Sequence, residues 1–140
     1  MTISSNLAKA HLVYSLVCDD VRLEVGNKLS VMGIFQNIFF PSLPSTYFRF
    51  VLLNHWEGSG DHTTEIRVVA PDRTRLIAKI GPSSFSLNPS TFADNVTVFN
   101  NLHFEQEGSH ILQVYLDEIM VREIYLNVVV VLPQPSPTVN

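Results

Sequence analysis

Asp19, Asp20 and Glu24 form the densest acidic group in this chain, and carboxylate oxygens near a turn can hold a calcium ion. A dedicated calcium loop carries more oxygens at closer spacing. With Arg22 and Lys28 nearby, acids that cap backbone amides or pair with Arg22 are the simpler reading. His55 and His62 flank one expected hairpin and His103 and His110 another, so either pair could meet across a ladder. Zinc needs three or four ligands, and no Cys or further His lies at ligand spacing around them. His11 stands alone. Cys18, the one cysteine, follows Leu16 and Val17 and reads as a buried thiol acting as a small hydrophobe. No Gly-x-Ser-x-Gly elbow is present, and Gly58-Ser59-Gly60 lacks the Lys and the following helix of a phosphate cradle. Glu105 and Glu107 flank a turn as solvated acids. The expectation is a protein without catalytic residues, metal or cofactor, and not an enzyme.

Composition narrows the partners. The chain has 140 residues, enough for one domain with a sizeable core. Charged residues make up 16%, below the roughly 25% usual in soluble domains. Part of the surface is therefore expected to be uncharged and sticky. Net charge is −4 and Lys and Arg are scattered singly, which argues against nucleic acid as a partner. Residues 1–11 lack the basic start and apolar core of a secretory signal, so the Asn95-Val96-Thr97 sequon is set aside. The longest apolar run, Val128 to Leu132, is far short of the roughly 20 residues of a membrane span. No membrane association and a reducing, cytoplasmic setting are expected.

The elements that must position these residues read as strands. Leu12 to Cys18 alternates and is expected to end at Asp19-Asp20; Gly26-Asn27 turns the chain into a long strand from Leu29 to Ile38. Gly33 within it signals a bulge or a close backbone approach. After the Pro41 to Ser45 loop, Tyr47 to Trp56 places Phe48, Phe50, Leu52 and Trp56 on one face, with Asn54 interrupting. Glu57 to Asp61 joins it to Thr63–Ala70 as a hairpin with a loose tip. Arg75 to Ile80 follows the Pro71-Asp72 turn, and Ser83 to Asn95 reads as a loop pinned by Phe85, Leu87 and Phe92. Val96, Val98, Leu102 and Phe104 then share a side, as do Leu112, Val114 and Leu116. Asp117-Glu118 turns into the last strand, from Met120 to Leu132. Its β-branched content decides against a helix over Asp117 to Val131.

About eight strands with short connections and no helix imply an all-β, antiparallel β-sandwich, immunoglobulin-like, over residues 12–132. Residues 1–11 are an N-terminal extension and residues 133–140 a disordered Pro-rich tail.

Two stretches carry resemblances. Cys18-Asp19-Asp20-Val21-Arg22-Leu23-Glu24, followed by Gly26 to Ile38, Pro41 and Leu43-Pro44, resembles the start of a family of small, mainly bacterial proteins catalogued as a domain of unknown function. That resemblance implies a fold and no activity. Phe104 to Asp117 is similar to the closing hairpin of many immunoglobulin-like sandwiches. Here His110 stands where those domains carry a Tyr that bonds back to the corner.

Two functions follow as expectations. The first is a non-catalytic interaction module that binds a protein partner or forms a homo-oligomer, since Val128 to Leu132, with Val129 and Val131 on its second face, needs cover on both sides. The alternative is a small-ligand or carbohydrate binder that uses Trp56, Tyr47 and the His55 to His62 loop as a stacking platform, against which Trp56 reads more simply as a core or hairpin residue.

Overall fold

The computed structural model describes residues 9–132. The proposed Pro-rich tail and most of the proposed N-terminal extension lie outside them. Nine strands follow in order: β1 (Ala10–Glu24), β2 (Lys28–Ile34), β3 (Asn37–Phe40), β4 (Ser45–Gly58), β5 (Gly60–Val69), β6 (Leu76–Leu87), β7 (Phe92–Phe104), β8 (Gly108–Leu116) and β9 (Ile119–Val130). They form a four-stranded sheet in the order β2-β1-β4-β7 and a five-stranded sheet in the order β3-β9-β8-β5-β6. All neighbours are antiparallel except β3 and β9. The protein is all-β, as its alternation requires. No described helix is long and apolar enough to cross a membrane.

The core lies between the sheets. Val17, Phe50, Leu52, Trp56 and Phe99 of the first sheet meet Ile66, Val68, Leu112, Val114, Leu126 and Val128 of the second. Burying such side chains removes about 1.5–3 kcal/mol of unfavourable hydration each.

Several boundaries differ from the sequence expectation. β1 does not stop at Asp19-Asp20. Its ladder to β2 runs from Cys18↔Ile34 to Glu24↔Lys28, and those hydrogen bonds override the poor strand propensity of Asp. The expected single strand from Leu29 to Ile38 divides between β2 and β3, which belong to different sheets. The segments flanking Gly58 to Gly60 form no hairpin, because β4 and β5 also lie in different sheets, as do β7 and β8. The expected loop from Ser83 to Asn95 is mostly strand, with only Asn88 to Thr91 between β6 and β7. Serine satisfies a ladder with its backbone as well as any residue, so composition misled there.

One face assignment also inverts. Phe48 is 75% exposed, while Tyr47 packs on Phe40 and Phe50. Across the ladder Asn101 has a left-handed backbone (φ 53°), and inward-facing residues pass from Phe99 to Leu102 there. The alternation slips by one residue at that point, so Val96 and Val98 face outward while Leu102 and Phe104 face the core.

Candidate interaction face and its edge

β1 and β4 sit at the centre of their sheet, so their outward side chains line up in rungs with those of β2 and β7. One rung reads Ile34, Cys18, Val51, Val98 and the next Leu16, Leu53, Val96. Cys18, Val51 and Leu53 are buried although they do not belong to the inter-sheet core; Ile34 and Val96 at the margins are exposed. Burial pushes the Cys18 thiol above its ordinary value, so it is a packing residue there.

Polar groups rim the rungs. At one end Arg49 and Arg22 approach the Asp20 carboxylate at 3.2 and 3.6 Å. The backbone N–H of Val21 donates to it too (3.0 Å), and with Arg49 it holds the carboxyl below its ordinary value. Asp19 lies against Gly33 instead, so the acidic residues do not converge. Among the described residues, no group of three His, Cys, Asp or Glu could hold a metal ion. At the other end His55 Nδ1 meets Asp94 at 2.6 Å, and its ring stacks on Tyr14 (4.7 Å between centroids) and lies 4.6 Å from Phe92.

The outer face of the other sheet is mixed. Lys79, Arg67, Gln113 and Glu123 form one rung across four strands. Arg67 donates to Glu65 (2.5 Å) and lies 4.2 Å above the Tyr115 ring, while Arg73 is paired with Glu123. Charged groups satisfy one another along that rung, while another rung of the same face, Leu76, Val69, Ile111 and Tyr125, is apolar with Leu76 and Tyr125 exposed at its margins.

The residues expected to form a stacking platform are not brought together. Trp56 is fully enclosed in the core, 5.3 Å from Phe85, and presents no ring face to solvent. His55 points out of the opposite side of β4, and Tyr47 is half-buried among Phe35, Phe40 and Phe50. The valine-rich strand is covered from within the domain, since β3 pairs with β9 through Phe39↔Val129 and Phe40↔Val130. Val128 is buried in the core and Val129 half-buried, and Val131 follows β9 at 45% exposure. Val128 is thus covered from within the domain, while Val131 keeps exposed surface. Sequence reasoning missed the rungs on the first sheet because the slip at Asn101 hides which face Val96 and Val98 occupy.

His62 is not paired with His55. Its Nδ1 lies 2.7 Å from Asp117 Oδ2 and its Nε2 2.7 Å from the Ser59 carbonyl, so the charged ring donates from both nitrogens. Burial opposes that charge, but the two acceptors outweigh it and hold the imidazole above its ordinary value. The His62 ring and the Thr63 N–H hold Asp117 below its own. His62 thus stabilises the fold fully below the unfolded value of about 6.5 and ceases to as pH rises through the raised folded value. Asp117 contributes above its unfolded value of about 3.9 and ceases to as pH falls through the depressed folded one. Burial pushes the His110 imidazole down, and it acts with the opposite sign, favouring the fold above about 6.5. Urea titrations of His62→Gln should show a loss of about 1–2 kcal/mol in mildly acidic buffer that shrinks in alkaline buffer. A loss independent of pH would show that the ring is not charged in the fold.

A cleft of about 340 Å³ opens between the free edges of β6 and β7. Ser83, Ser84 and Phe85 line one side and Asp94 to Val98 the other, with Thr64 and Ile66 between. Among the described residues, the buried Nδ2 atoms of Asn95 and of its cross-strand neighbour Asn54 have no hydrogen-bond partner.

The chain belongs to a family of unknown function, DUF6941, whose model matches residues 13–129. No curated protein matches it. Among solved structures its fold is similar to part of Pseudomonas fluorescens alkylpurine DNA glycosylase AlkC bound to DNA containing an abasic site analog. The TM-score is 0.53 at 11% identity, over 86% of this chain and 30% of that one. The likeness concerns the fold alone, and this chain spans under a third of that protein.

Proposed function

From membership of a family without an assigned activity, we propose that the protein is a non-catalytic interaction module that binds a protein partner or a second copy of itself through the outer face of its four-stranded sheet. The observation that carries this reading is the pair of adjacent apolar rungs on that face, with exposed Ile34 and Val96 at their margins and the Asp20–Arg49 and His55–Asp94 pairs at their ends. Exposed apolar surface rimmed by polar groups marks contact sites.

The proposal assigns no nucleic-acid partner. Net charge is −4, and Arg22, Arg49, Arg67, Arg73, Arg75 and Lys79 each pair with an acid. A phosphate backbone requires basic groups free to meet it. The DNA in the glycosylase complex is therefore not carried over to this chain. A cytoplasmic setting is part of the proposal, supported by the single, buried cysteine.

Sedimentation from low to high micromolar concentration, with and without a partner captured on immobilised protein, tests the reading. Ile34→Lys should weaken capture of the protein partner, and Lys79→Glu on the five-stranded sheet should leave it unchanged. A chain that neither self-associates nor retains any protein in an Ile34-dependent way overturns it.

The cleft between β6 and β7 favours a second reading, a small uncharged ligand that meets Asn95 and Thr97 on one wall and Ser83 and Ser84 on the other. Thermal shifts against sugars and metabolites test it. A shift present in the wild type and lost in Asn95→Ala supports the ligand; no shift for any compound removes it.

A further inference from the structure

Each sheet ends in two edge strands, and three of the four are blunted. β2 has seven residues, with Lys28 at its start and left-handed Gly33 near its end. β3 has four residues. β6 is interrupted by Gly81-Pro82, opposite a register shift in β5. Short length, lysine, proline and bulges are the devices by which proteins prevent strand addition.

β7 has none of them along its first nine residues. From Phe92 to Asn100 it pairs with β4 without a register shift, contains no Pro, Lys or Arg, and carries one charged residue, Asp94, engaged by His55. Asp94 to Val98 border the open cleft, and among the described residues no backbone hydrogen bond joins β7 to β6. The backbone groups of these residues that point away from β4 therefore pair with no described strand, β7 being the edge of its sheet with β6 of the other sheet alongside.

We propose that this edge is occupied by the β7 of a second copy of the chain, antiparallel about a two-fold axis at Thr97, which joins two four-stranded sheets into one of eight. The proposal rests on the interaction-module reading and deepens it. Side chains that meet across an antiparallel pair must lie on the same face, so the axis passes through a residue and not between two. At Thr97 each Val96 opposes the second copy's Val98, the two Thr97 hydroxyls meet, and Asp94 opposes Asn100. Valine pairs and threonine pairs stabilise cross-strand contacts, and no like charges are opposed. The rungs ending in Val96 and Val98 continue into those of the second copy, so the two apolar faces become one. A seam of about seven residues a side falls well below the roughly 20–30 of stable interfaces, so the dimer is a weak, readily dissociating one.

Sedimentation equilibrium of the full chain should show a monomer–dimer equilibrium. Val96→Glu/Val98→Glu, which opposes carboxylates twice, should weaken it at least tenfold. Val96→Glu/Val98→Lys, which opposes Glu to Lys twice, should restore it. Thr97→Cys should give a covalent dimer on mild oxidation, while the wild type, with only buried Cys18, should not. Circular dichroism and melting curves confirm that each variant is folded. A folded double-Glu variant that dimerises as well as the wild type overturns the β7 seam and leaves the interaction-module reading standing. A wild-type chain that stays monomeric at high micromolar concentration overturns the self-pairing, and if it also binds no protein through the Ile34 face the broader reading falls with it.

Discussion

Trp56→Ala is expected to lower the unfolding free energy by about 3–5 kcal/mol, measured by urea denaturation. The indole is wholly enclosed, against Phe85 and beside the residues that bring the two sheets together. Its removal leaves a void that the flanking ladders hold open, since β4 is paired on both sides. The indole Nε1 has no partner among the described residues. Trp56→Phe therefore discards an unsatisfied donor and some volume, and should cost less than half as much as alanine. A ring serving as a surface platform for sugars would behave oppositely, since its loss would remove ligand binding and leave stability within about 0.5 kcal/mol. A loss below 1 kcal/mol for Trp56→Ala would place the ring at the surface and revive that function.

Gly33→Ala comes second, at about 2 kcal/mol. Gly33 has a left-handed backbone (φ 67°), and a β-carbon there would overlap the Asp19 carboxylate. The backbone contributes about 1 kcal/mol, because an L side chain is strained in that region. The remainder comes from displacing Asp19 on the adjoining strand. A double-mutant cycle separates the two, since Gly33→Ala in an Asp19→Ala background should cost only the backbone part. Equal costs in both backgrounds would show that Asp19 moves aside freely.

That glycine shows how far the sequence could be read. A Gly within a β-branched run signalled a bulge or a close backbone approach, and what lies over Gly33 is the Asp19 side chain. Period-two alternation likewise specified an all-β chain, because it reports which side of a strand faces oil. It does not report which sheet a strand joins. Gly58 to Gly60 reads equally well as a hairpin tip or as the crossing between sheets that it is, since both need the same flexible backbone. The candidate face was hidden by a different cause. A one-residue slip at Asn101 reverses every later side chain of β7, and a left-handed asparagine in mid-strand is invisible to a pattern that assumes unbroken pleating. Trp56 was legible as a core residue from the face it shares with Phe50 and Leu52, while its type suits a sugar platform as well, and only its position on β4 decides between them.

The parallel pair of β3 and β9 joins Asn37 to Asn127, ninety residues apart in sequence (127 minus 37). Closing that pair costs loop entropy that no neighbouring turn offsets, so β3 cannot dock until β9 exists. During synthesis Ile38 and Phe40 therefore emerge before the strand that pairs with theirs, and that edge stays unpaired until β9 has been made. Pulse-labelled hydrogen exchange should find the Asn37–Phe40 amides among the last to gain protection, and ribosome-bound chains lacking β9 should be cleaved in that segment. The strand that closes the sandwich thus sets the moment at which the newborn protein becomes safe from its neighbours.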